Sequence, residues 1–172
     1  MRLMKSKTKT LSELSKIVKT LRSQSKKVGL ITGCFDILHI GHINLFQEAK
    51  RYADILVVGV DNDKSIKLTK GINRPVNNQE NRMSFLCALD CVDYVFLIED
   101  IFDFTNEKLA TQIQEKNYQA VKPDYLITNK KTDDYWKNKQ KSLEKLGIAL
   151  IDINQKRLGA TTKIIEHLLS EL

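Results

Sequence analysis

The sequence predicts an α/β protein built on a doubly wound, Rossmann-like parallel sheet of about five strands. Three observations lead there. Short apolar runs recur at Val28–Ile31, Ile55–Val60, Tyr94–Ile98, Tyr125–Thr128 and Ile148–Ile151. They are continuous rather than alternating, as expected of strands covered on both faces. Stretches of helical periodicity separate them, and strand, helix, strand in that order crosses over right-handed into a parallel sheet.

Residues 1–27 are read as a basic arm plus an amphipathic helix packed on the body, and residues 28–172 as the body itself. Met1 to Thr10 reads as a frayed, basic lead-in. Leu11, Leu14, Ile17, Val18 and Leu21 then recur at helical spacing, so their stripe is expected to pack on the body. A mitochondrial targeting helix fits less well, because the basic residues are mostly Lys and the stripe is needed as core. Ile43 to Tyr52 is expected to be helical, Lys64 to Asn77 a loop, and Asn78 to Asp90 helical again through Met83, Leu86, Cys87 and Leu89. Further helix is expected over much of Thr105 to Asn117. A polar segment from Asn129 to Lys141 precedes helix to Leu146, which Gly147 stops. Thr161 or Thr162 begins a last helix through Leu168.

At 172 residues and 42% hydrophobic, the chain can bury one sizeable core. No apolar run approaches the roughly 18 residues that span a bilayer, and no secretory signal is expected. Cys34, Cys87 and Cys91 are odd in number and form no CxxC pair, which points to a reduced, cytoplasmic protein. The net charge of +7 raises nucleic-acid binding. Nine of the basic residues lie in residues 1–27 against Glu13 alone, so the body is close to neutral. The arm has no aromatic for base stacking, and a solvated arm is the better reading. The residues leave the oligomeric state open, a homodimer included.

The chemistry concentrates in Gly33-Cys34-Phe35-Asp36-Ile37-Leu38-His39-Ile40-Gly41-His42, between the first strand and a helix. A strand, a small-residue turn and a helix N-terminus make a phosphate-binding corner, because free N–H groups and the helix dipole both favour negative charge. His39 and His42 could polarise phosphate oxygens, hold a metal with Cys34 or Asp36, or fill space. Phosphate is preferred, because Gly41 admits close backbone approach and His42 falls at a helix start. Ligands of such sheets bind beyond the carboxyl ends of the strands. Asp61–Asp63, the Asn129 loop and the Leu158–Thr162 turn are therefore expected to converge with the corner on one cleft.

These residues resemble the HxGH signature of the nucleotidyltransferase superfamily, which includes the cytidylyltransferases. Lys70-Gly71-x-x-Arg74-Pro75-Val76-Asn77, Asn81-Arg82-Met83, Val92-Asp93-Tyr94-Val95 and Thr161-Thr162-Lys163-Ile164-Ile165 are similar to the adenylyltransferase domain of bacterial ADP-heptose synthesis enzymes. Glycerol-3-phosphate cytidylyltransferase is more distantly similar. The resemblance implies NMP transfer, with AMP from ATP moving onto a sugar phosphate such as heptose 1-phosphate and Mg²⁺ accompanying the triphosphate. A cytidylyltransferase acting on a polyol phosphate, or a weakened nucleotide-binding module, stays open.

On that resemblance, His39 and His42 stabilise the α-phosphoryl group and the leaving pyrophosphate. Lys70 meets phosphates, with Lys67 as the fallback. Arg82 holds nucleotide phosphates or anchors the site, and Thr161 and Thr162 bind the β/γ end. Gly33, Cys34, Phe35, Asp36, Gly41 and Asp63 organise the motif and the nucleotide. Asn129, Asp134, Tyr135 and Trp136 are the expected acceptor contacts. They lie in a segment, Thr128 to Trp136, that lacks the relatives' Lys-Gly-Gly-Asp-Tyr run, and Ala160 replaces the serine of their closing Ser-Thr-Thr.

Overall fold

A continuous apolar strand is stable only where both its faces are covered, and the longest-buried runs should therefore lie at the middle of the sheet. The computed structural model, which describes residues 6–156 and 161–170, has this arrangement. Strand β1 (Val28–Gly33) is central and pairs in parallel with β2 (Ile55–Asp61) and β4 (Tyr125–Thr128). Outside them lie β3 (Tyr94–Ile98) and β5 (Ala149–Asp152), giving the order β3-β2-β1-β4-β5. The order reverses at β1, so the crevice between the carboxyl ends of β1 and β4 is the expected ligand position.

Helices cover both faces. Leu14 and Val18 of α1 (Leu11–Ser23), together with Ala110, Ile113, Tyr118 and Val121 of α5 (Glu107–Val121), pack on Val28, Leu30, Val57 and Leu126. On the opposite face, Phe46 and Ala49 of α2 (Ile40–Ala49) join Met83, Leu86 and Cys87 of α4 (Gln79–Cys87) against Ile31, Leu56, Val58 and Ile127. Successive strand residues thus feed alternate cores. The remaining helices are α3 (Asp63–Lys70), α6 (Trp136–Leu146) and α7 (Thr161–Ser170).

The two ends of the sheet differ. At the amino ends, Asp54, Asp93 and Asp124 accept from the backbone N–H of Lys27, Leu56 and Val28 at 2.7–2.9 Å. Those ends are closed by the chain's own carboxylates, and the carboxyl ends are left for the site.

Three expectations need correction. The segment 64–77 is not all loop: α3 occupies Asp63–Lys70. Its stripe is too short for periodicity to reveal, and its real start signal is Asn62, whose side chain accepts from Ser65 N–H. The lead-in is not frayed over residues 7–10. Thr8 bridges Val95, Lys9 N–H donates to the Val95 carbonyl at 2.9 Å, and Lys7 reaches the Leu89 carbonyl. Pairing to an open sheet edge is a backbone event that side-chain pattern does not announce. Helix α6 starts at Trp136, inside the segment expected to be polar loop. Residues 1–5 and the Leu158–Ala160 part of the closing turn lie outside the described residues.

Candidate active site

The chain leaves β1 through Cys34 and turns at Phe35, whose φ of +48° is left-handed backbone that a bulky residue rarely adopts. Packing holds it there: the Phe35 ring meets His42 edge-on at 5.4 Å and Phe46 at 5.3 Å. His39 then serves as the N-cap of α2 in extended backbone, which places His42 in the first helical turn. The two imidazoles stack, with centroids 3.9 Å apart and planes 23° apart. Burial, then the charges of His39 and Lys70, lower the His42 pKa to about 4, so His42 is neutral at neutral pH. Its buried Nδ1 makes no hydrogen bond.

This corner opens on a cavity of about 490 Å³ beyond the carboxyl ends of β1, β2 and β4. Four segments that the sequence placed apart meet there. Gly33, Cys34, Phe35, Asp36 and His42 come from the corner, Asp61 and Lys70 from β2 and α3, Asn129, Asp134 and Tyr135 from the β4–α6 loop, and Thr161 from α7. Thr161 lies in the first turn of α7 and donates to the Ile37 carbonyl at 3.4 Å, which ties that helix start to the corner. Thr162 is exposed beside it.

Arg82 and Asp63 take the anchoring place among the alternatives expected of them. Arg82 is fully buried and does not line the cavity. Its guanidinium donates to the carbonyls of Cys34, Asn77 (3.1 Å) and Asp61 (2.7 Å), and to Asp63 Oδ1 (2.8 Å). One side chain thereby ties β1, β2 and the 71–77 loop together. Asp63 is turned toward Arg82, and it is Asp61 that lines the cavity. Asp36 is 2% exposed, accepts from Arg74 Nε at 2.7 Å and from Asn77 N–H at 2.9 Å, and still contributes to the cavity wall.

The other assignments divide as cleanly. Lys70, at the end of α3, reaches the cavity, whereas Lys67, one turn earlier, is exposed and does not line it. His39 and Gly41 are not in the lining; His39 is held against the face of His42. Trp136 also lies outside, with the Lys130 ammonium 4.4 Å from its ring centroid. Burial raises the Cys34 thiol above its ordinary pKa.

The cavity includes residues that motif reading passed over. Phe104 stacks on Tyr135 with centroids 4.4 Å apart, and α3 positions it: Ser65 Oγ accepts from Phe102 N–H, and Thr69 Oγ1 from Phe104 N–H. Gln114 sits on the buried stripe of α5 with Ala110, Tyr118 and Val121. A polar residue on such a stripe is the one signal that could have found it. Asp133 pairs with Lys139 at 2.8 Å and accepts from Thr128 at 2.6 Å. Burial pushes the Asp133 pKa up, but Lys139 and these hydrogen bonds outweigh it, and the pKa lies below its ordinary value.

The comparisons agree with this architecture. The family model described as cytidylyltransferase-like matches residues 30–167. The bifunctional protein HldE of Desulfatibacillum aliphaticivorans is 35% identical over 164 residues, which cover 94% of this chain and 31% of that protein. HldE of Aliarcobacter butzleri is 44% identical over 92 residues, 54% of this chain and 19% of that one. The chain thus spans less than a third of the length of these curated relatives. The crystal structure of the lipopolysaccharide core biosynthesis protein from Thermoplasma volcanium superposes with a TM-score of 0.59 at 27% identity. That match covers 76% of this chain and 98% of the other.

Proposed function

Because the chain belongs to the cytidylyltransferase-like family, we propose that it transfers AMP from ATP onto a sugar phosphate of the heptose 1-phosphate kind, releasing pyrophosphate. The stacked His39–His42 pair at the start of α2, beside a cavity that Lys70 and Thr161 also line, is the observation that carries this reading. The matches to HldE proteins and to a lipopolysaccharide core biosynthesis protein support the adenylyl and heptose parts of it.

An oxygen of the acceptor's phosphate attacks the α-phosphorus. The bond from that phosphorus to the bridging oxygen breaks, and pyrophosphate leaves with the electron pair. No protein nucleophile is needed; positioning and charge stabilisation do the work. His42 donates from neutral imidazole to a phosphoryl oxygen, and His39 supports it from the stacked position. As charge builds on the phosphate oxygens, protonation of His42 becomes favourable where burial and the charges of His39 and Lys70 otherwise oppose it. Lys70, rather than Lys67, meets the phosphates. Thr161 and Thr162 offer hydroxyls and a helix N-terminus to the β and γ phosphates. Arg82, Asp63 and Asp36 act on the ligand indirectly, by fixing the backbone of the corner.

Among the described residues no group of three His, Cys, Asp or Glu side chains is arranged to hold a metal ion. On the transferase reading, Mg²⁺ enters with the triphosphate, as part of the substrate. We read residues 28–172 as the transferase domain, braced by α1 and by residues 7–9 ahead of it. Every group invoked comes from one chain, so the reading does not require a dimer. Among the described residues no helix is long and apolar enough to cross a membrane, and ATP-dependent chemistry of this kind belongs in the cytoplasm.

Pyrophosphate release across ATP, CTP, GTP and UTP, each with heptose 1-phosphate, mannose 1-phosphate or glycerol 3-phosphate and Mg²⁺, tests the proposal. ATP with heptose 1-phosphate should be the fastest pair. Faster turnover of CTP with glycerol 3-phosphate would make the chain a cytidylyltransferase. ATP binding without release from any pair would make it a binding module.

A further inference from the structure

The cavity presents two chemically different surfaces. His42, Lys70 and Thr161 offer donors and positive charge. Asp61, Gln114, Phe104 and Tyr135 offer the opposite. Asp61 is 3% exposed and Gln114 6%, and in each a buried side-chain oxygen, Oδ1 and Oε1 respectively, has no hydrogen-bond donor. Native proteins rarely leave such atoms unsatisfied, and two lining one cavity mark where an external donor belongs.

The chemistry of that donor follows from the wall. A carboxylate repels phosphate, and a carboxylate and an amide oxygen both accept, so the partner must bring O–H or N–H groups. Lys139, which could neutralise an anion here, is committed to Asp133 at 2.8 Å. The stacked rings of Phe104 and Tyr135 add a flat apolar surface suited to the C–H face of a sugar. Phe104, Gln114, Tyr135 and Lys139 also line a small adjoining crevice of about 20 Å³ that none of His42, Lys70 and Thr161 lines. Gln114 and the aromatic pair therefore reach into a part of the site set away from the phosphate machinery, and Asp61 lines the main cavity that both share.

We propose that Asp61 and Gln114, with the Phe104–Tyr135 pair, form the subsite for the uncharged, hydroxyl-bearing body of the acceptor, whose phosphate points toward Lys70 and the histidines. The assignment rests on the transferase reading above and names the residues that choose its acceptor. Asp61 and Gln114 accept from sugar hydroxyls, and the rings pack on the sugar's carbon skeleton. Affinity should then rise with the number of hydroxyls, from glycerol 3-phosphate through mannose 1-phosphate to heptose 1-phosphate.

Two measurements on wild type, Asp61→Asn and Gln114→Met test this. Steady-state kinetics should show the KM for heptose 1-phosphate raised about tenfold or more in each variant, with the KM for ATP changed less than about twofold. Calorimetric titration of heptose 1-phosphate in the presence of α,β-methylene ATP should show the same loss of affinity, and titration of inorganic phosphate should show none. The Tm of Gln114→Met should not fall, because its lost oxygen had no internal partner; a clear fall would assign Gln114 a structural role and overturn the proposal. A raised KM for ATP with an unchanged acceptor KM would give this wall to the nucleotide and also overturn it. Turnover in wild type with unaltered acceptor KM in both variants would remove the subsite while leaving the transferase standing. Sugar-phosphate binding that depends on Asp61 and Gln114, without turnover, would keep the subsite and remove the transferase. No binding of any sugar phosphate would remove both.

Discussion

The two sides of the cavity are built on opposite plans. On the side of β1 and the His39–His42 corner, the carboxylates and guanidinium groups are tied to one another, and the buried His42 Nδ1 makes no hydrogen bond. Arg82 gives its guanidinium to three carbonyls and Asp63, and Asp36 takes Arg74 and Asn77. On the side of α5, the β4–α6 loop and the end of β2, Asp133 is satisfied by Thr128 and Lys139, but Asp61 Oδ1 and Gln114 Oε1 have no donor. An unpaired buried polar group costs about 1–3 kcal/mol. The first side fixes the backbone of the corner in one geometry. The second gives up stability to atoms whose partners come from outside, which is what a selective surface requires.

Arg82→Met attacks the braced side most directly. It strands the Cys34, Asn77 and Asp61 carbonyls and leaves Asp63 unpaired, so urea unfolding should show a loss of about 3–5 kcal/mol. A loss below about 1 kcal/mol would mean that the corner holds its shape without the brace.

The next contrast is set by pH. Folding lowers the His42 pKa from 6.5 to about 4 through burial, then His39 and Lys70. Protonation therefore favours the unfolded chain, and the stability His42 contributes above pH 6.5 is lost as pH falls toward 4. Folding raises the Asp61 pKa from 3.8 to about 6, chiefly by burial, so stability is gained as pH falls through 6 toward 3.8. The two effects nearly cancel, and wild type should be almost flat across that window. Asp61→Asn removes the gain and exposes the His42 loss, roughly 3 kcal/mol at most. Chemical denaturation at about pH 4, 5, 6 and 7 reads it directly; a flat profile in the variant would refute the opposition of the two groups.

His39→Ala should lower kcat about 100-fold, close to 2.7 kcal/mol of transition-state stabilisation, while leaving Tm near wild type. An unchanged rate would sink its role. The smallest contrast lies along one helix. Lys70→Ala should raise the KM for ATP about tenfold and Lys67→Ala less than about twofold, since only Lys70 lines the cavity. Equal effects would mean that both reach the phosphates.

Much is legible in the sequence alone. The β1–α2 corner announces itself because a phosphate site needs a strand end, small residues and a helix start in unbroken sequence, so Gly33 to His42 carries it locally. The five strands are equally local, as runs of apolar residues. Helix α3 was not legible, because eight residues with Ser65 and Ile66 buried leave too little periodicity to see. The pinned lead-in at Thr8 and Lys9 was hidden for another reason: its hydrogen bonds run through backbone atoms that every sequence shares.

By itself, then, the sequence determined the α/β architecture and the β1–α2 corner, since both follow from neighbouring residues and their periodicity. Tertiary structure alone decided which polar side chains face the ligand and which brace the frame. Asp61 and Asp63 are the same residue type two positions apart, yet one lines the cavity and the other binds Arg82. Burial and partnership set that difference, and both depend on residues such as Gln114, Lys139 and Arg82 that only folding brings alongside.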